Sequence, residues 1–408
     1  MQASLPYFTT VFFANAPTPE PRQIVCVLAK RTYELDASGR LRRAKEQAPL
    51  ALDGEYTEVT ADQPCSVPLA EPDLWPSKAA TDVVVLGKVH APGARPARAL
   101  TAGLSIGAHR LAIKVSGDRR VSRGPGGGLV FAAPEPFTAM ELTWARAYGG
   151  IDGSVPMPEI GDLVDLLDAM DTERHPGAYP RNPAGRGYTI AGSALDELLL
   201  PNFEDPEDLL TPNRLLVGSP ANWWRMPLPA GLGWFHPSWY PRCMFAGILP
   251  RTPPLDDDAL PEVRMGIVPP GQYRRVEALD IAERMDWRLT SGAAPRLCLP
   301  YLQGDEAVQL HNLDPGGELR LRLPGERPRI DVSFERKALA VKTYLHTVLI
   351  EPEERRVSLV WGTRGFTPRL LPEEQPDQDN PRVDPLKGFD ILVDGAIYPH
   401  QEEDYLAP

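Results

Sequence analysis

Cysteine is scarce. Cys26, Cys65, Cys243 and Cys298 are the four thiols of a 408-residue chain, and no two stand at the spacing of a zinc knuckle or a C-x-x-C redox pair. So thin a supply excludes a disulfide scaffold and points to a reducing compartment. Long apolar runs are lacking as well. No run approaches the ~18 consecutive apolar residues of a membrane-crossing helix, and the apolar patch at Phe12 and Phe13 has no basic stretch ahead of it, which makes a poor signal peptide. Positive charge is in deficit: 43 Lys and Arg against 55 Asp and Glu leave a formal net charge of −12. An acidic chain lacks the footprint that phosphate backbones attract, whereas a basic protein would be steered toward it. Together these absences predict a cytoplasmic protein with neither nucleic-acid nor membrane partners.

Signatures of catalysis are missing too. There is no Walker loop, no H-E-x-x-H and no G-x-S-x-G. The histidines are scattered, and the closest two, His90 and His109, stand 19 positions apart. Asp256-Asp257-Asp258 follows two prolines and lacks the ligand alternation of a calcium loop, so it reads as a solvated loop. Gly124–Gly128 has no strand–turn–helix context and reads as a turn. The expectation is no metal, no organic cofactor and no enzymatic activity.

What is abundant is punctuation, with 46 prolines and 34 glycines. Proline cannot donate in a helix interior or a central strand, so an all-helical fold is excluded. The pattern predicts a mainly β protein: antiparallel, sandwich-like sheets, long ordered Pro/Gly/Trp-rich loops and two short helices. Strands are expected at Gln23–Leu35 (with a turn at Asp36-Ala37-Ser38-Gly39), Val83–Val89, Leu111–Val115, Met140–Tyr148, Val308–Leu313, Leu319–Leu323 and Arg329–Phe334. A hairpin is expected with arms Lys342–Ile350 and Val357–Trp361, one face of it apolar. The helices follow the i, i+3, i+4, i+7 template at Ile160–Leu167 and Ile281–Leu289. From Pro180 to Pro261 there is no period, yet Trp223, Trp224, Trp234 and Trp239 fall there, which predicts an ordered loop region clamped by aromatic packing. Domain organisation follows: one domain over 1–365, a Pro- and acid-rich linker over 366–386, and a C-terminal hairpin and tail over 387–408. Asp394-Gly395 fits a type I′ turn, and a hairpin that is marginal alone must dock on the main body or on a partner.

The motifs that carry information form an ordered series. Asp73-Leu74-Trp75-Pro76-Ser77-Lys78 is followed by Thr81-Asp82, then Gly117-Asp118-Arg119, then Trp144-Ala145-Arg146-Ala147-Tyr148-Gly149-Gly150 with Asp152 just beyond. Next come Tyr179-Pro180-Arg181-Asn182-Pro183-Ala184-Gly185-Arg186-Gly187, Leu200-Pro201-Asn202-Phe203-Glu204-Asp205-Pro206, Pro229-Ala230-Gly231-Leu232-Gly233-Trp234 and Trp239-Tyr240-Pro241-Arg242. This series resembles a bacterial family encoded beside the VgrG spike and PAAR tip proteins of type VI secretion systems, over roughly residues 20–362. The resemblance implies an adaptor or chaperone that binds an effector and helps load it onto the spike. Two departures stand out: Arg120-Val121 where the family has Trp, and no Asp-x-Trp or Pro-x-Asp-Phe pattern after Arg242.

The residues singled out are Lys78, Asp82, Asp118, Arg119, Trp144, Arg146, Tyr148, Asp152, Arg181, Asn182, Glu204, Asp205, Trp234 and Arg242. Physically they suit a loop scaffold or a partner contact. Arg181 is expected to form a bidentate pair with Glu204 or Asp205, with Asn182 bonding neighbouring backbone. Two other readings remain open: a hydrolase using carboxylates in the Asp152–Glu204–Asp205 region, and a structural component of the spike or baseplate.

Overall fold

The computed structural model describes residues 8–15, 23–36, 38–61, 63–156, 175–192, 195, 198–249, 257–334, 337–364 and 389–398. Its largest sheet grows from Gln23–Leu35, whose β-branched and aromatic residues suit a pleated, buried surface. That strand pairs antiparallel with Phe8–Asn15 on one side and with Arg356–Thr363 on the other. The sheet continues through Thr343–Glu351, Thr81–Val85 and Cys298–Leu299, with Leu41–Arg43 beside the end of Gln23–Leu35. Its neighbours are antiparallel except Thr343–Glu351 and Thr81–Val85, which run parallel.

A five-stranded sheet faces it, in the order Phe203–Glu204, His109–Ser116, Ala99–Ile106, Ala307–His311 and Glu318–Arg322. Alternate residues of these strands, Leu104, Ile113, Val308, Leu310 and Leu321 among them, are buried and share one core with Val83, Val85, Val348 and Leu359 of the larger sheet. The fold is therefore β-rich and built as two sheets over a common core, as the sequence pattern predicted.

The C-terminal hairpin docks on its own chain. Phe389–Val393 pairs with Ile330–Phe334 in a four-stranded sheet, and Val393 packs on Ala29. Asp394 and Gly395 both take positive φ, 51° and 81°, as a type I′ turn requires. The proposed linker, the helix at Ile160–Leu167 and the tail lie outside the described residues.

Several expectations need correction. Val83–Val89 is two strands, Thr81–Val85 and Lys88–His90, separated at Gly87, whose φ of +141° breaks the pleat. Met140–Tyr148 is not one strand. Ala139–Glu141 gives way to a 3-10 turn at Trp144–Arg146, started by the Thr143 side chain accepting from the Ala145 amide. The helical pattern at Ile281–Leu289 yields only Ile281–Arg284; Asp286 then caps a separate 3-10 turn at Trp287–Thr290. Four short α-helices occur among the described residues instead of two, none longer than the seven residues of Gln272–Ala278. In the long hairpin both faces are buried. Val357, Leu359 and Trp361 enter the main core, while Val360 packs on Leu28 and Leu50, and the Ser358 hydroxyl meets that of Thr32 at 3.2 Å.

The described loop residues between Tyr179 and Leu260 pack around a second core. Tyr148, Tyr179, Tyr188, Trp223 and Tyr240 meet there, with ring centroids 5.0–6.5 Å apart and mostly edge to face, the arrangement the ring quadrupole favours.

Candidate functional site

The motif residues converge in the seam between the two cores. Tyr148-Gly149 and Arg186-Gly187 pair as short parallel strands, and glycine is needed because the backbones almost touch. A Cβ on Gly149 would lie 2.0 Å from the Asn182 carbonyl oxygen, and one on Gly185 would lie 2.6 Å from that of Ala147. Asn182, fully buried, spends its side-chain amide on the carbonyls of Trp144 (2.9 Å) and Tyr148 (3.1 Å). These bonds replace a regular ladder, because each buried backbone group still needs a partner. Trp144 is fixed in turn. Its indole N–H donates to the Trp234 carbonyl at 2.6 Å, and its ring fills the space above Gly231, where a Cβ would meet it at 2.7 Å.

Arg181 is the centre of the second core, but its partner is not the one expected. Its guanidinium grips Glu262 with two bonds, from Nε to Oε1 and from Nη2 to Oε2, the latter at 2.9 Å. Nη1 donates to the Tyr179 hydroxyl at 2.9 Å, and the cation lies over the rings of Trp223 (4.9 Å), Tyr179 (5.8 Å) and Tyr240 (5.9 Å). Burial by itself would lower the Arg181 pKa. The Glu262 carboxylate, with Tyr179, holds it above the ordinary arginine value, so the pair is ionic. Burial raises the pKa of Tyr148 and Tyr179.

Glu204 and Asp205 have other tasks. Glu204 accepts from Arg119 and, at 3.0 Å, from the Leu210 amide. Asp205 accepts from Arg296 Nη1 at 2.6 Å and from the Glu207 amide at 3.0 Å. The expected pairing fails because Glu204 is held on Lys114 of the five-stranded sheet, where Arg119 reaches it first.

The remaining singled-out residues are placed in the same way. Lys78 and Asp82 form a buried pair at 2.6 Å, and Asp82 also accepts from the Gly292 amide at 2.8 Å. Lys78 lies over the Trp234 ring at 5.7 Å. Arg242 grips Glu71 through two bonds of 2.9 and 2.8 Å and donates to the Leu289 carbonyl. Asp118 is half-exposed and draws in Arg146 (3.3 Å), Arg186 (3.6 Å) and the Asn202 amide (2.8 Å). Asp152 accepts from Ser154, Thr189 and the Ile190 amide. Burial would raise its pKa, yet these donated bonds outweigh it and hold the carboxyl below the usual range.

Glu71 and Glu262 are the ion-pair partners that the sequence left unmarked. Glu71 sits two positions before the first motif, and Glu262 is the second residue of the short helix Pro261–Arg264, so both lay just outside the stretches that stood out. His346 was also missed. It is fully buried where the pairing of Thr343–Glu351 with Arg356–Thr363 slips by one residue. Its ring lies against Gly362, and neither ring nitrogen has a hydrogen-bond partner. Burial and the nearby Lys78 charge push its pKa down to about 3. Burial and Arg242 push that of His236 down to about 4.

Residues 20–362 match the model of a family described as an uncharacterized protein conserved in bacteria, DUF2169. The chain belongs to this family. The matched span contains the whole motif series, both cores and each buried ion pair described above. No curated protein and no solved structure matches the chain. Among the described residues no helix is long and apolar enough to cross a membrane, and no three His, Cys, Asp or Glu side chains are grouped as metal ligands.

Proposed function

We propose that this DUF2169 protein is a non-enzymatic adaptor, working in the cytoplasm, that holds a type VI secretion effector and passes it to the VgrG/PAAR spike. One observation carries this reading: the motif cations are spent on carboxylates of the same chain, two within the motif series and two, Glu71 and Glu262, outside it. Lys78–Asp82, Arg181–Glu262, Arg242–Glu71 and Arg119–Glu204 are buried or nearly buried pairs, and the last three tie together segments 81 or more positions apart. Breaking such a pair strands a charge and costs about 3–5 kcal/mol, so the loops keep one shape. A surface of fixed shape is what a protein-binding module needs, since binding then incurs little ordering entropy. A hydrolase would rest on two acids facing a common cleft. Asp152 and Glu204 instead have their oxygens taken up by separate sets of donors.

The gene neighbourhood of the family that the sequence resembles supplies the partner class. Affinity capture of the tagged chain from its bacterial host, followed by mass spectrometry, tests the reading. A co-encoded effector and a spike protein are expected in the eluate. A chain that elutes alone contradicts the proposal. Recovery of the chain itself in secreted spike particles favours a structural component.

A further inference from the structure

Three open depressions, of about 820, 610 and 390 Å³, share one side chain in their walls, that of Arg296. They adjoin there, with Met265 also shared by the first two and Asp205 and Glu207 by the last two, and together form a trough-like surface. Its walls reverse the sign of the chain. Against a formal charge of −12, the trough presents Arg110, Arg225 and Arg264, all exposed and none with a carboxylate partner among the described residues. Its acids are Asp205, Glu207 and Asp208. Two of these are already neutralised, Asp205 by Arg296 and Asp208 by Arg214. Glu207 alone opposes three unpaired guanidinium groups.

Two hydrogen-bond donors in the walls also lack acceptors. Trp224 lines the 610 Å³ depression and Ser291, only 8% exposed, lines the 820 Å³ one, with the indole N–H and the hydroxyl themselves buried behind the surface. An apolar anchor point lies between them. Met265, 43% exposed, lines both depressions and also a small apolar cavity of about 50 Å³ beneath, walled by Leu111, Trp144 and Phe235. Arg, Trp and Met are the residue types enriched at protein interfaces and their hot spots.

We propose that this trough is a docking site for an acidic, extended segment of a partner protein that carries at least one apolar residue. Carboxylates would pair with Arg110, Arg225 and Arg264, and the apolar residue would settle at Met265. The surplus of positive charge selects an acidic occupant over a basic one. The proposal deepens the adaptor reading and rests on it, because it states the chemistry of the captured segment.

The test uses the full chain and a fluorescein-labelled synthetic peptide of Asp, Glu and Leu, with a Lys-for-acid counterpart as control. The acidic probe should bind, more weakly as salt rises, and the counterpart should not. Arg110→Glu/Arg225→Glu/Arg264→Glu, all exposed substitutions whose fold is checked by an unchanged melting curve, should raise Kd about tenfold or more. Equal binding of both probes, no binding of the acidic one, or an unchanged Kd in the triple variant would overturn the proposal. So would self-association of the wild type that the triple variant abolishes, which would place a second copy in the trough. Host capture separates the two readings: a triple variant that still retrieves the effector contradicts the trough only, whereas a wild type that retrieves nothing contradicts the adaptor.

Discussion

Arg181 is 1% exposed and Glu262 3% by side chain, so Glu262→Ala would leave a guanidinium in the second core with only neutral acceptors. Its neighbours are the Tyr179 hydroxyl, the carbonyls of Trp224 and Met226, and the faces of three aromatic rings. None supplies a negative charge. Stranding a buried cation in this way costs about 3–5 kcal/mol. Unfolding entropy of about 2.1 cal/mol/K per residue, taken over the 408 residues, amounts to roughly 0.9 kcal/mol/K. The variant should therefore melt about 4–6 °C lower. Arg181→Met should cost less than Glu262→Ala, because a stranded carboxylate can take up a proton whereas a stranded guanidinium keeps its own. The double variant Arg181→Met/Glu262→Leu should regain much of the loss, since an apolar pair of similar volume often replaces a buried ion pair at little cost. The assay is thermal unfolding followed by circular dichroism for the four members of the cycle. A Glu262→Ala variant melting within about 1 °C of wild type would refute the scaffold reasoning, as would strictly additive losses in the double variant.

The other expectations concern pH and packing. His346 and His236 both start from 6.5 and are pushed down in the folded chain, to about 3 and about 4. Above pH 6.5 neither state binds the proton; below it the unfolded chain does and the folded chain does not, so each histidine removes about 1.4 kcal/mol per pH unit. Melting temperatures measured from pH 7 to pH 5 should fall steadily, and a flat profile would contradict the burial of both rings. Gly231→Ala would place a Cβ 2.7 Å from the Trp144 ring, and overpacking of this kind costs about 1–3 kcal/mol. A melting temperature equal to wild type would mean that the Trp144 seat is loose.

Gln23–Leu35 was readable to the residue because β-branched and aromatic residues crowd it, and the five-stranded sheet shows the period-2 burial of a half-buried sheet, as in Ala307–His311 and Glu318–Arg322. Asp394-Gly395 fixed its turn through backbone sterics alone. The loop scaffold was legible only as a set of glycines, arginines and tryptophans, because the close approaches at Gly149, Gly185 and Gly231 leave a local mark in the sequence. Pairings across it were not. Arg181 reaches Glu262 across 81 positions and Arg242 reaches Glu71 across 171, and nothing local encodes which carboxylate a guanidinium will meet. His346 was unreadable for a related reason, since its burial depends on a register slip and on Gly362. The trough escaped the sequence altogether, because Arg110, Arg225, Arg264 and Arg296 come together only after folding.

The proposed adaptor role has the chain deliver a cargo and transform none. Deleting its gene in the host and measuring the co-encoded effector in the culture medium tests this most directly. The account predicts that effector release is lost while spike protein is still released, and that the wild-type gene restores it. Effector release at the parental level in the deletion strain would contradict the account.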